Sequence, residues 1–147
     1  VNFDSVIIFA FDETLKSITT SLIYTDVTPK KTYFITLNQW FDESLLNEDS
    51  SQNLYFPSIN KKNFDEFKKE YFEKYSSEPN QISLLGFDLV GLIFYLSKTN
   101  DFQLNNKVFD RKNTFKGKTG LFEIEDKRIK HVLNFYKVEN NKFKKIF

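Results

Sequence analysis

Hydrophobic positions along this chain change period from one segment to the next, and the changes mark its elements. Residues 5–11 (SVIIFAF) form an unbroken apolar run of strand length, the pattern of a buried strand. Asp12 then stands where an N-cap belongs, and Leu15, Ile18, Leu22 and Ile23 follow on one helical face. Strand followed by helix is the opening of an α/β unit. Thr28-Pro29 closes the helical region, and residues 31–37 (KTYFITL) read as a second strand ending at the polar pair Asn38-Gln39. Residues 41–53 are acidic and polar, a loop with one short turn. Residues 54–57 (LYFP) make a third strand, closed by its proline.

The next segment reads as a helix capped by Asn63 or Asp65, with Phe64, Phe67, Tyr71 and Tyr75 three or four residues apart as a core-packing stripe. After SSEP, residues 80–97 place Leu84, Leu85, Leu89, Leu92, Ile93 and Leu96 at helical spacing. Their arc is wide enough to predict a helix nearly surrounded by protein. Gly91 in its middle is about 1 kcal/mol less favourable than alanine and points to the close approach of another backbone. Residues 99–114 are a polar connection holding a short element at Val108-Phe109. Gly117 and Gly120 bracket a turn, Leu121, Phe122 and Ile124 begin a strand, and EDKR turns the chain. HVLNFYKV then reads as one extended strand, Asn140-Asn141 turns again, and residues 142–147 finish as a strand.

Together these elements describe one α/β domain over residues 1–147. A composition 40% hydrophobic and 18% aromatic is enough to fill a core in a chain of 147 residues, which argues against disorder. The longest apolar runs fall short of the roughly 20 residues that span a bilayer, so no membrane span is expected. With no cysteine, disulfides and thiolate metal sites are excluded. The chain has no methionine and enters a core strand within five residues, as an excised piece of a larger protein would. Charge is split: residues 101–147 carry 12 Lys/Arg against 6 Asp/Glu, and residues 1–100 carry 9 against 14. The lysines are scattered, as on a solvated face.

Candidate chemistry is sparse. Among the motifs of nucleophile elbows, phosphate loops, dinucleotide loops and zinc or calcium sites, none is present. GKTG at 117–120 lacks the upstream glycine and the strand-to-helix context of a phosphate loop, and reads as a turn. His131 is the only histidine and falls in a strand-like alternation. Glu66, Glu70 and Glu73 among the aromatic residues of their helix would oppose a nucleic-acid backbone, so no nucleic-acid partner is expected. No cofactor and no metal are expected either. Asp88 sits in LLGFDLVGLI, where a carboxylate must be solvated, paired or hydrogen-bonded. It either binds a cationic group in a cleft or bonds to nearby backbone. Asp12, at a helix start behind a strand, is a cap or a ligand contact. Trp40, at the mouth of the second strand, is a cleft wall or a core residue, with Asn38 and Gln39 beside it as polar contacts.

The order of FDSVIIFA with its helix, TYFITLNQW with its acidic loop, LYFPS, NFDEFKKEYFEKYSSEPNQISLLGFDLVGLIFYL and FKGKTGLFEIEDKRIKHVLNFYKVENNKFKKI resembles the C-terminal part of type I periplasmic binding proteins. Its nearest flavour is similar to the penicillin-binding-protein-activator branch, whose members look like leucine/branched-chain amino-acid receptors. The F-x-G-x-x-G segment of the family is matched by Phe115, Gly117 and Gly120, and its Tyr-Asp pair by Phe87-Asp88, without the phenol hydroxyl. The resemblance implies a mostly parallel sheet flanked by helices plus a C-terminal hairpin, in a fragment of a bilobal protein. It implies a non-catalytic domain of the bacterial periplasm or cell envelope, part of a lipoprotein or receptor. The partner would be a small molecule such as an amino acid, or a cell-wall synthesis protein. Phe11, Asp12, Asn38, Gln39, Trp40 and Asp88 are the candidate ligand-binding residues. The alternative is a structural protein–protein interaction module with a degenerate cleft. An enzyme would require Asp12, Asp88 or His131 to converge in a pocket.

Overall fold

The computed structural model describes residues 3–99, 101 and 113–147. The expected element at Val108-Phe109 lies outside the described residues. In chain order the elements are β1 (Ser5–Ile8), α1 (Asp12–Tyr24), β2 (Tyr33–Thr36), two 3₁₀ turns (Glu43–Asn47 and Asp49–Ser51), β3 (Leu54–Ser58), α2 (Lys61–Tyr75), α3 (Gln81–Thr99), β4 (Asn113–Lys116), β5 (Leu121–Glu125), β6 (Arg128–His131), β7 (Asn134–Glu139) and β8 (Lys142–Lys145). They divide into two compact units, Val1–Ser58 with Asn134–Phe147, and Ile59–Leu133.

In the first unit the strands order as β1-β2-β3-β7-β8. β1 pairs with β2 in parallel, Ser5 opposite Tyr33 and Ile8 opposite Thr36, and β2 pairs with β3 in parallel. A parallel pair needs a long crossover, which α1 supplies between β1 and β2. β7 runs antiparallel to β3, and β8 closes a C-terminal hairpin. Period-2 alternation sends Phe34, Leu54, Phe56, Tyr136 and Val138 into the core, together with Leu15 of α1 and Leu45 of the first 3₁₀ turn. Thr19, also fully buried, donates its hydroxyl hydrogen bonds to the Leu15 and Lys16 carbonyls. Phe41, Phe56, Tyr136 and Phe143 form a ring cluster with centroids 4.9–5.9 Å apart. The hairpin turn is as the sequence predicts: Asn140 and Asn141 both take left-handed φ (52° and 56°), matching the twist of the strands.

Several boundaries differ from expectation, each for a local reason. β1 is four residues long and stands first in its sheet, so Ile7 and Phe9 are exposed in spite of the apolar run. Phe11, in extended conformation, is the N-cap of α1, and Asp12 is its first residue rather than its cap. α2 begins earlier than predicted, because the Asn60 side chain accepts the Asn63 amide and caps it there. HVLNFYKV is two strands, since His131 pairs with Phe122 while Asn134 pairs with Ser58 in the other sheet.

The second unit joins α2 and α3 with the antiparallel sheet β4-β5-β6. β4 was not expected. α3 buries one stripe at spacing four, Leu84, Asp88, Leu92 and Leu96, with Ile124 and Phe115 packed against the last two. Leu85, Leu89 and Ile93 stay more than 40% exposed, so among the described residues this helix is not surrounded. Space at Gly91 is limited by the Phe115 ring rather than by a backbone. Against expectation, α3 is long and apolar enough to cross a membrane, with mean hydropathy 1.4. The charge at its middle, however, is fixed to the sheet. Asp88 accepts hydrogen bonds from the Lys118 and Thr119 amides at 2.7 Å and from the Thr119 hydroxyl. A methyl group at Gly117 would lie within 2.6 Å of that carboxylate, and Gly120 takes φ 132°, so both glycines of the turn are required. Lys118 is tied to Glu70 of α2 at 2.7 Å, and the His131 ring, stacked on Phe122, lies 3.2 Å from the Thr119 carbonyl.

Replacing Asp88 with alanine strands the two loop amides, and hydrogen bonds to a charged group contribute about 1.5–3 kcal/mol each. We expect Asp88→Ala to lower stability by about 3 kcal/mol, and Gly117→Ala to be clearly destabilising, both read by urea unfolding. In the first unit, hydrogen bonds from Lys137 and then Lys144 hold Glu139 down to about 2 from an ordinary 4.5. A lowered carboxylate pKa stabilises the fold fully above about pH 4.5, and that contribution is lost as pH falls toward 2. A carboxyl NMR titration should place the Glu139 midpoint near 2 in the parent chain, and higher in Lys137→Met.

Candidate functional site

Parallel pairing of β1, β2 and β3 sends their carboxyl ends to one edge of the first unit, where open α/β sheets bind ligands. Two loops rise there, Phe9 to Phe11 after β1 and Leu37 to Asp42 after β2. They are braced together. The Thr36 hydroxyl donates to the Ile8 carbonyl at 2.8 Å, and the buried Gln39 amide donates to the Ala10 carbonyl and the Thr36 hydroxyl, both at 3.1 Å. Gln39 also lies 3.3 Å from the Leu37 carbonyl. The Gln39 NH₂ group therefore spends its donors on positioning the loops.

Beyond the brace the backbone is strained. Trp40 and Phe41, both bulky, have φ of 50° and 59°, and Asp12, the first residue of α1, has φ of 50°. Left-handed conformations of this kind cost about 1–3 kcal/mol each and cluster at ligand sites. Here they are held by the Asn38 side-chain oxygen Oδ1, which accepts the Trp40 amide at 2.9 Å, by the Asp42 amide on the Gln39 carbonyl, and by burial of the Phe41 ring. Trp40 is half-buried and Phe11 exposed. Asp12 is exposed at the start of α1, whose N-cap supplies no side-chain bond. Among the described residues, neither the Asp12 carboxylate nor the Asn38 NH₂ group has a hydrogen-bond partner.

Phe11, Asn38, Gln39 and Trp40 thus come from two adjacent loops of one unit, and Asp12 from the start of α1 beside them. Asp88 belongs to the second unit, where its oxygens serve the β4–β5 turn. Sequence reading missed Thr36 and Phe41. Thr36 carried a signal, as a polar residue in register with Phe34 on the inward face of β2. Among the described residues no group of acidic or histidine side chains is arranged to hold a metal.

No protein-family model and no curated protein matches the sequence. Solved structures do match. An extracellular ligand-binding receptor from Desulfohalobium retbaense superposes with TM-score 0.68 at 17% identity, covering 97% of this chain and 26% of that one. Leucine-binding protein LivK from Thermotoga maritima gives 0.66 at 16% identity, covering 98% and 44%. The C-domain of LpoA from Haemophilus influenzae, a regulator of PBP1A, gives 0.52 at 10%, covering 99% and 45%. The chain spans less than half the length of each. At these identities the likeness shows the fold, which is the type I periplasmic-binding-protein fold that the sequence resembles, with a parallel-containing sheet flanked by helices.

Gln39→Leu removes the brace and leaves the buried Ala10 carbonyl without its donor, while Thr36 keeps its bond to the Ile8 carbonyl. The expected loss is about 1–3 kcal/mol, with faster amide hydrogen exchange at residues 38–42 as the signature of loosened loops.

Proposed function

We propose that this chain is a non-catalytic solute-binding region of a bacterial periplasmic or cell-envelope protein, and that the carboxyl edge of β1 and β2 contacts an amino acid or similar small zwitterion. The observation that carries this reading is the braced, strained pair of loops that holds Phe11, Asp12, Asn38 and Trp40 at one edge. Trp40 and Phe11 supply apolar surface for a side chain, Asp12 a carboxylate for the ammonium group, and the Asn38 NH₂ a donor for the ligand carboxylate. Gln39 positions the loops, and Asp88 secures the turn of the second unit. The names of the receptor and of LivK support a solute as the ligand class.

A second reading is favoured by the likeness to the LpoA C-domain: binding of a cell-wall synthesis protein, with the loops as a degenerate ligand site. One titration separates the two. Trp40 is the sole tryptophan, so its fluorescence reports directly on the proposed wall. L-Leucine and related amino acids should shift its emission and raise the melting temperature, because a ligand that binds only the native state stabilises it by mass action. Asp12→Asn should weaken the response at least tenfold without altering the melting temperature of the free chain. No response to any amino acid, together with saturable binding of a purified penicillin-binding protein, would support the partner reading instead.

A further inference from the structure

At the opposite edge of the same sheet, where β2 and β3 begin, lies a polar depression of about 350 Å³. It is built entirely from the first unit, and the ligand reading above makes no use of it. Two of its lining residues are aromatic: Tyr33 and Tyr55 meet edge to face with centroids 5.6 Å apart, and Tyr33 is 58% exposed. Three more are basic, Lys30, Lys31 and Lys137.

These lysines differ in what neutralises them. The Lys137 ammonium lies 2.7 Å from Glu139 and 5.7 Å from the centre of the Tyr55 ring, and Glu139 is shared with Lys144. One carboxylate therefore serves two lysines. Among the described residues, neither Lys30 nor Lys31 has an acidic partner. The segment that carries them is fixed, because the Lys31 and Thr32 amides both donate to the Thr28 carbonyl at 3.0 Å and Pro29 restricts the turn. Asn53, also in the lining, is held in a left-handed conformation (φ 65°), with its backbone amide donating to the Val138 carbonyl at 2.7 Å.

We propose that this depression is a second binding site, selective for a small molecule that carries a phosphate group next to a flat ring. Its volume falls at the small-molecule end of ligand pockets, about 300–1,000 Å³. Two unneutralised ammonium groups match the charge of a phosphate monoester, about −1.5 to −2 at neutral pH, better than that of a single carboxylate. The tyrosine pair offers a stacking surface for the ring, and the Asn53 side chain offers polar contacts beside it.

Phenyl phosphate, adenosine monophosphate, inorganic phosphate and benzoate, titrated into the full chain and followed by amide NMR, test the assignment. Phenyl phosphate should shift residues 30–33, 53, 55 and 137, and should bind at least tenfold more tightly than inorganic phosphate or benzoate. Adenosine monophosphate binding more tightly still would identify nucleotides as the source of the group, and weaker binding would identify simple aromatic phosphates. The double variant Lys30→Ser/Lys31→Ser should lose the response at least tenfold while melting at the parent temperature. Equal binding of phenyl phosphate and inorganic phosphate, or an unchanged response in the double variant, would overturn the proposal.

Discussion

Much of the first unit depends on one side-chain amide. Parallel strands place their ends together but leave the loops beyond them free to diverge, because no ladder hydrogen bond continues past the last pair. Gln39 closes that gap by reaching the Ala10 carbonyl across the sheet while holding Thr36 at the end of its own strand. With the two loops fixed, the left-handed backbone at Trp40 and Phe41 becomes affordable, and the Phe41 ring is delivered to the cluster with Phe56, Tyr136 and Phe143. The same geometry leaves Phe11, Asp12, Asn38 and Trp40 at the edge with chemistry to spare. Core packing, loop strain and the candidate site are therefore consequences of a single arrangement.

The second unit solves a different problem, a carboxylate on an apolar helix. Asp88 occupies the inward stripe of α3 and takes its hydrogen bonds from the turn between β4 and β5, so the turn's donors solvate the charge that burial would otherwise make costly. Gly117 admits the carboxylate and Gly120 supplies the backbone angle that closes the turn. The GKTG segment thus does bind an anion with its backbone amides, and the anion is the protein's own.

Local signals in the sequence were legible where the physics is local. The apolar run before α1, the alternation of β2 and β3, and the turns at Asn140-Asn141 and at Asp126-Lys127 all follow from residue type and near neighbours. What escaped depends on distant partners. β4 has a polar start and exists because β5 pairs with it, and HVLNFYKV divides because its halves join different sheets with no break in its apolar pattern. At the site, Trp40, Asn38 and Gln39 stood out as residue types beside a strand end. The role of Gln39 did not, since its acceptor on Ala10 is 29 residues away in sequence. Asp88 was legible as a carboxylate in need of partners, whereas the identity of those partners, about 30 residues downstream, was not.

The central claim is that the braced loops after β1 and β2 form a ligand surface. An amide chemical-shift map of the chain during titration with L-leucine tests it most directly. The account predicts saturable shifts concentrated at residues 10–12 and 38–41, with the second unit's β4–β5 turn unchanged. Shifts that saturate elsewhere and spare both loops would contradict it.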